Sequence, residues 1–169
     1  MASPFESSRV WFSEPFLHHF CGSRLANTLC VTVTGSSQGL GNALLNAILE
    51  AGERAVATLR NPAALAGLQS RYPASQLLVV PLDVTSAFQI NDAFEAAKKH
   101  FSRLDVVVNN AGYGLLCEIE GTSDEEARKI MEVLFWGPVN ITKQVSSASL
   151  SILGLDLTWK PGYQVFQRG

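Results

Sequence analysis

A glycine-rich stretch constrains the fold more than any other part of this sequence: Thr34-Gly35-Ser36-Ser37-Gln38-Gly39-Leu40-Gly41. It follows residues 29–33, a β-branched apolar run typical of a buried strand. After it, apolar residues recur with helical spacing, which predicts one buried helix face ended by Gly52 and made of Leu40, Ala43, Leu44, Ala47, Ile48 and Ala51. A strand, a glycine-rich turn and a helix form a phosphate-binding unit, because glycines permit close backbone approach and the helix N-terminus presents free N–H groups. An ordinary strand-to-helix turn also favours glycine, so the spacing alone does not decide the function.

The bulk properties favour one soluble globular domain. The chain has 169 residues, of which 47% are hydrophobic and 17% charged, and its net charge of −2 argues against nucleic acid or an anionic membrane as the main partner. No apolar run is long enough to span a membrane. The three cysteines (Cys21, Cys30 and Cys117) have neither disulfide nor zinc spacing, which favours a reducing compartment. Residues 1–12 lack the pattern of a secretory signal, and the expected location is the cytoplasm.

Strand and helix patterns alternate after the glycine-rich turn. We expect strands at residues 54–59, 77–80 and 104–108, the last covered on both faces because it is almost continuously apolar. Asn61-Pro62 predicts the start of a short helix through residue 69, and residues 86–89 resemble a capping box. That box opens a helix with a buried face of Ile90, Ala93, Phe94, Ala97 and Phe101.

A last helix is predicted from residues 122–123 onward. Its inner side is expected to consist of Ala127, Ile130, Val133 and Leu134, with an interruption at Gly137-Pro138 because proline bends a helix. The alternation predicts an α/β fold, a Rossmann-like doubly wound parallel sheet of strand order 3-2-1-4 with the later strands missing or degenerate. Ligands bind such sheets outside the carboxyl ends of the strands, where the strand order reverses.

Three motifs at strand ends resemble the short-chain dehydrogenase/reductase family over roughly residues 27–143. They are the T-G-x-x-x-G-x-G turn, Leu82-Asp83-Val84-Thr85, and Asn109-Asn110-Ala111-Gly112. The resemblance implies NAD(P)-dependent hydride transfer between a cofactor and a carbonyl or alcohol. It also implies that the cofactor is bound by Gly35, Ser36, Ser37, Gly39, Leu40, Gly41, Arg60, Asp83, Asn110, Ala111 and Gly112.

The end of the second strand indicates which dinucleotide is bound. NAD-binding folds place an acidic residue there for the ribose 2′-hydroxyl, whereas a basic residue accommodates the 2′-phosphate of NADP. The sequence has Arg60 at this point and no Asp or Glu at Thr58-Leu59, which favours NADP over NAD. The alternative is that Arg60 is a solvated surface residue.

The catalytic residues that the resemblance implies are not intact. The family uses a tyrosine as acid/base, a lysine four residues later, a serine and an asparagine, but Leu134 stands where the asparagine is expected. No Tyr-x-x-x-Lys occurs, and a free tyrosine has a pKa of about 10, which makes it a poor base near neutral pH. Ser147 and Tyr163 are the two remaining candidates, with Gln167 in place of the lysine. Alternatively, residues 144–169 are an unrelated tail.

The predicted organisation is an N-terminal extension (residues 1–26), a dinucleotide-binding domain (27–145) and a divergent C-terminal tail (146–169). His18 and His19 point apart and lack companions at ligand spacing, so no metal site is predicted. Three interpretations stay open: a truncated oxidoreductase that binds NADP without turnover, a non-catalytic nucleotide-binding module, and a chain that is unstable alone. For the second, the resemblance implies a homo- or hetero-oligomer formed through a helix at residues 123–144.

Overall fold

The computed structural model describes residues 28–152, in which strands and helices alternate. The strands are β1 (Cys30–Thr34), β2 (Arg54–Leu59), β3 (Leu77–Pro81) and β4 (Val106–Val108). The helices are α1 (Gly39–Glu50), α2 (Ala66–Arg71, after a 3₁₀ turn at Pro62–Leu65), α3 (Ala87–Phe101), α4 (Asp124–Met131) and α5 (Gly137–Ile152). A 3₁₀ turn at Ile119–Gly121 precedes α4, and a π-helical segment, Glu132–Trp136, joins α4 to α5.

The four strands form one parallel sheet of order β3-β2-β1-β4. In this register Thr34 lies beside Thr58, and Val33 lies beside Val108. The predicted α/β class and strand order are confirmed. The ends of β1 and β4 therefore meet where the strand order reverses, which is where the fold is expected to bind a ligand.

Each face of the sheet is covered by a different set of helices. On one face α1 and α2 pack through Leu45, Leu49 and Leu68. On the other, α3 contributes Phe94 and α5 contributes Ile141 to a second apolar cluster. Two-sided coverage explains why β1 is buried along its whole length.

The predicted buried face of α1 is correct only in part. Ile48 is buried and Leu44 half-buried as predicted, but the other buried residues are Gly41, Leu45 and Leu49. Ala43, Ala47 and Ala51 are exposed, and Leu40 is 76% exposed. The alanines and leucines of α1 allow two helical stripes, and burying the stripe of larger side chains removes more apolar area from water. Gly52 does follow the helix in the left-handed region, at φ 78°.

The β4 side of the molecule is less buried than the sequence predicted. β4 covers Val106–Val108 rather than residues 104–108, and all three valines are only half-buried. No residue of α4 is buried. Of the four residues predicted to face inward, Ile130 in α4 and Val133 in the π-helical segment are half-buried, while Ala127 and Leu134 are exposed. A continuous apolar run fits a strand with neighbours on both sides. It also fits a strand such as β4, which has one neighbour within the described residues.

The predicted interruption near Pro138 takes the form of the π-helical segment, and the chain remains helical from Asp124 to Ile152. Proline has no N–H to donate, and a widened turn before it is one way for a helix to accommodate the missing bond. α5 crosses the predicted domain boundary between residues 145 and 146, and the three-part division stays a prediction. No helix within residues 28–152 is long and apolar enough to cross a membrane.

Candidate functional site

A cleft of about 870 Å³ lies at the carboxyl ends of the strands. Its volume is within the usual range for small-molecule sites. Four parts of the chain line it: the turn after β1, the end of β2, the loop after β3, and the residues between β4 and α5.

The turn after β1 opens the N-terminus of α1 to this cleft. Gly35 and Gly39 have left-handed backbones, with φ of 65° and 58°, and a Cβ built on Gly39 meets no atom within 4 Å. Gln38, at the N-cap, makes no side-chain cap hydrogen bond, and the first turn of α1 has no acidic residue. The helix thus presents uncapped N–H groups and its positive dipole end to the cleft, which is the arrangement that binds phosphate.

Thr34 joins the glycine-rich turn to the segment after β4. Its side chain is fully buried, and its Oγ1 accepts hydrogen bonds from the backbone N–H groups of Asn110 (2.9 Å) and Ala111 (3.0 Å). The same hydroxyl donates to the carbonyl oxygen of Val108 (3.2 Å). In return, Asn110 Nδ2 donates to the carbonyl oxygens of Thr34 (2.9 Å) and Gly35 (3.2 Å). These bonds hold the two glycine-containing segments against each other.

Two glycines of the turn are required by this close approach. A Cβ on Gly35 would lie 2.7 Å from Ala111 Cα, and a Cβ on Gly41 would overlap the side-chain amide of Asn110. Ser36, between them, is fully buried, and both its N–H and its hydroxyl donate to the carbonyl oxygen of Thr58 at 3.1 Å. Ser36 therefore fixes the turn to the end of β2.

The charged groups of the cleft lie at the ends of β2 and β3. Arg60 is exposed directly after β2. Thr85 donates its backbone N–H (3.0 Å) and its hydroxyl (2.8 Å) to Asp83 Oδ1, and these bonds, with a smaller contribution from the charge of Arg60, lower the pKa of Asp83 below its usual value. Ser86 caps α3 as predicted, accepting the backbone N–H of Gln89 at 3.3 Å, but the Gln89 side chain accepts the backbone N–H of Asp83 at 2.8 Å and so does not complete the box. The loop after β3 is thereby held in place around an ionised carboxylate.

The opposite wall comes from the helical region after β4. Lys129 lines the cleft but pairs with Glu125 on its own helix, Nζ to Oε1 2.6 Å. The side chain of Leu134 lies against Gly112, and a Cβ built on Gly112 would lie 2.7 Å from Leu134 Cδ2. Tyr113, 48% exposed, continues the wall after Gly112.

Nine of the eleven predicted cofactor-binding residues line this one cleft: Gly35, Ser37, Gly39, Leu40, Arg60, Asp83, Asn110, Ala111 and Gly112. Ser36 and Gly41 do not line it and support the turn from behind. Ser147 is a residue of α5, and Tyr163 lies outside the described residues. Within residues 28–152 no group of three or more His, Cys, Asp or Glu side chains is placed to hold a metal ion.

Sequence reasoning missed the role of Thr34. Its position gave a signal: Thr34 is a polar residue at the end of an apolar strand, directly before Gly35. A polar side chain buried in this way normally has a specific hydrogen-bond partner. It also missed the lining residues of the helical wall, namely Lys129, Glu132 and Val133. No local motif marks them, because only the path of the helical region at residues 124–136 past the strand ends brings them to the cleft.

Comparison with known proteins gives consistent matches. The family described as short chain dehydrogenase matches residues 29–151. An uncharacterized oxidoreductase of Schizosaccharomyces pombe is 42% identical over 114 residues, which are 68% of this chain and 37% of that protein. The oxidoreductase calM of Penicillium decumbens is 39% identical over 114 residues, 65% of this chain and 37% of that protein.

Among solved structures, a short-chain dehydrogenase from Streptomyces avermitilis is similar with a TM-score of 0.70 and 30% identity, over 78% of this chain and 48% of that one. The chain thus spans less than half the length of each of these relatives. The residues that the family matches, 29–151, include every residue that lines the cleft.

Proposed function

The chain belongs to the short-chain dehydrogenase family, whose members bind an NAD(P) dinucleotide. We propose that it binds NADP(H) in this cleft without catalysing hydride transfer to or from a substrate. The observation that carries the first part is the uncapped N-terminus of α1 behind Gly39. A phosphate group fits there because a glycine with open space at its Cβ position lets the anion approach the backbone N–H groups closely. Gly35, Ser37 and Leu40 complete this phosphate-binding side of the cleft.

Preference for NADP(H) over NAD(H) is assigned to Arg60. It follows the last residue of β2, the point at which dinucleotide-binding folds contact the adenosine ribose. Lys129 is paired with Glu125, whereas Arg60 has no ion pair within residues 28–152. A guanidinium with free donors forms charge-assisted hydrogen bonds with a 2′-phosphate.

Within residues 28–152, the residues that line the cleft do not provide the proton transfer that carbonyl reduction needs. Within residues 28–152 the cleft is lined by one tyrosine, Tyr113, and it has Cys117 rather than lysine four positions later. Leu134 covers Gly112 with an apolar side chain, where a proton relay needs a polar group. A positioned acid/base contributes about 10²–10⁴-fold to the rate, and hydride transfer without it is correspondingly slow.

A second candidate function is a non-catalytic nucleotide-binding module that acts with a partner chain, identical or different, through the helical region at residues 123–144. Four neighbouring apolar side chains there are roughly half exposed: Met131, Leu134, Phe135 and Trp136. Exposed apolar clusters of this kind mark interaction surfaces. Sedimentation over a range of concentrations tests self-association, and a monomer throughout would exclude the homo-oligomer.

The proposed cellular location is the cytoplasm, in keeping with the two free thiols among residues 28–152. Cys117 is exposed and Cys30 is buried, and burial raises the pKa of Cys30 to about 11. A thiol with such a pKa stays protonated and unreactive at neutral pH.

The test of turnover is NADPH oxidation, followed by its absorbance, with a panel of aldehydes, ketones and quinones. We expect no saturable rate above background. The control pair is Gly39→Glu, which fills the phosphate site, and Gly67→Glu, which adds the same charge at a position with nothing within 4 Å and outside the cleft. Saturable turnover that Gly39→Glu abolishes and Gly67→Glu retains would refute the absence of catalysis.

A further inference from the structure

The glycine-rich turn divides the cleft into two ends. The strand order β3-β2-β1-β4 places this turn, which follows β1, between the ends of β2 and β3 on one side and the end of β4 on the other. Dinucleotide-binding folds contact the adenosine ribose at the end of the second strand. The adenosine of a bound dinucleotide therefore lies over β2 and β3, and its nicotinamide ring lies over β4. We call the first region (Leu59, Arg60, residues 82–85 and Val133) the adenosine end and the second (residues 112–118) the ring end.

Packed apolar side chains wall the adenosine end. Leu59, Leu82 and Val84 line the cleft, although they are only 3%, 3% and 6% exposed because the rest of each side chain belongs to the core. Val133 lines the cleft from the helical region and packs against the apolar cluster that contains Leu82 and Val84. A flat aromatic base at this end meets apolar groups that the core already holds in place, so its burial costs little ordering.

Hydrogen bonds hold the polar groups of the adenosine end. Gln89 accepts the backbone N–H of Asp83, and Thr85 donates two hydrogen bonds to the Asp83 carboxylate. Ser36 ties the glycine-rich turn to the end of β2. This end therefore combines an apolar wall, a phosphate-binding turn and the Arg60 guanidinium. These features fit an adenosine that carries phosphates at its 5′ and 2′ positions.

The ring end is an open shelf. Residues 112–118 are all exposed, and among them Tyr113 is 48% exposed and Leu116 fully exposed. The side-chain amide of Asn110 is occupied, because its Nδ2 donates to two carbonyl oxygens of the glycine-rich turn. Among the described residues, none of α5 lines the cleft. Small-molecule sites typically bury about 70–90% of the ligand surface, and within residues 28–152 the ring end lacks the walls to do so.

We propose that the cleft is a site for 2′-phosphorylated adenosine diphosphates as a class, to which the nicotinamide ring of NADP(H) contributes almost no affinity. The inference rests on the proposed binding of NADP(H) and extends it to ligands that contain no nicotinamide. It also gives a second reason for the absence of turnover, since a ring without fixed contacts is not held in the geometry that hydride transfer needs.

Titration calorimetry of the full chain with four ligands tests the inference. NADPH and NADP⁺ differ only in the ring, 2′-phospho-ADP-ribose is NADP without the nicotinamide, and reduced nicotinamide mononucleotide is the other half of NADPH. We expect the dissociation constants of the first three to agree within about fivefold, which corresponds to about 1 kcal/mol. The mononucleotide should show no saturation at concentrations that saturate the other three.

Three results would each show that the ring contributes and would overturn the inference. They are a loss of more than about fivefold on removing the nicotinamide, a difference of that size between NADP⁺ and NADPH, and saturable binding of the mononucleotide at the same concentrations. As long as NADPH itself binds, the proposed function stands in all three cases. Absence of NADPH binding instead overturns the proposed function and the inference together.

Two variants locate the affinity within the cleft. Val133→Asp places a carboxylate at the adenosine end and should weaken the binding of NADPH and of 2′-phospho-ADP-ribose by the same factor, about tenfold or more. Ala127→Asp adds the same charge at an exposed position of α4 that does not line the cleft, and it should change neither affinity. A loss for NADPH alone, or for neither ligand, overturns the inference. If Val133→Asp does not fold, the four ligands with the unmodified protein decide.

Discussion

The two sides of the sheet differ in how completely they are packed. On the β2–β3 side, β2 is buried after its first residue, and the loops that reach the cleft are held by hydrogen bonds through Ser36 and Asp83. On the β4 side, α4 buries no residue, and Leu116, Met131 and Trp136 are exposed. The β2–β3 side, which we call the packed side, holds the glycine-rich turn and Arg60, whereas the helical wall of the cleft lies on the β4 side.

The two sides meet at a seam formed by Thr34 and the backbone of Asn110 and Ala111, and substitutions at this seam should change stability most. Thr34 Oγ1 accepts two backbone N–H groups from the β4 side. In Thr34→Val the N–H of Asn110 keeps the carbonyl oxygen of Val108 as an acceptor, whereas the N–H of Ala111 loses its acceptor. We expect a loss of about 1–3 kcal/mol in the free energy of unfolding, the cost of one unsatisfied buried donor. Urea denaturation measures it.

Thr32→Val is the matched control for the seam. It makes the same change two residues earlier on β1, where the buried hydroxyl has no partner within the described residues, and it should be neutral or stabilising. Equal losses in the two variants would show that the threonine hydroxyl does not join the two sides.

Gly41 tests the same seam through packing. Gly41→Ala forces a methyl group against the side-chain amide of Asn110, and overpacking of this kind costs about 1–3 kcal/mol. Gly67→Ala, with nothing within 4 Å, should instead stabilise by up to about 1 kcal/mol because alanine favours the helix. Thermal denaturation compares the pair, and a Gly41→Ala variant as stable as the parent would mean that the approach of α1 to Asn110 is not tight.

The smallest effect concerns Asp83, which lies wholly on the packed side. Its pKa is lowered in the folded state from an ordinary value of 3.8, so the stability it contributes is present above pH about 4 and is lost as the pH falls below that value. Thr85→Val removes one of the two hydrogen bonds that Thr85 donates to Asp83. Between about pH 5 and pH 3, the free energy of unfolding of this variant should fall less steeply than that of the parent. Unfolding followed at several pH values measures this slope, and an unchanged slope would contradict the assignment.

Sequence patterns predicted the packed side better than the β4 side for physical reasons. Runs such as residues 54–59 and the glycines at positions 35 and 39 encode local geometry, and the strands and turn appear where they predict. The burial of β4 depends on what lies beyond its open edge, which no local pattern specifies. The phase of α1 was ambiguous because its alanines fit either helical stripe, and the π-helical segment before Pro138 depends on the helix as a whole.

Nine cleft residues were predicted because motifs at strand ends converge at one edge of a parallel sheet. The role of Thr34 was not predicted, because it depends on the parallel register of β1 with β4, which brings residues 34 and 110 together.

Titration calorimetry of the full chain with NADPH and NADH tests most directly whether the packed side suffices to bind the cofactor. We predict saturable binding of both, with NADPH tighter by about tenfold or more, since hydrogen bonds to a charged group contribute about 1.5–3 kcal/mol. Arg60→Asp should erase or invert this preference, and Arg71→Asp, the same charge change outside the cleft, should preserve it. Absence of binding by either dinucleotide, or an unchanged preference in Arg60→Asp, would contradict the account.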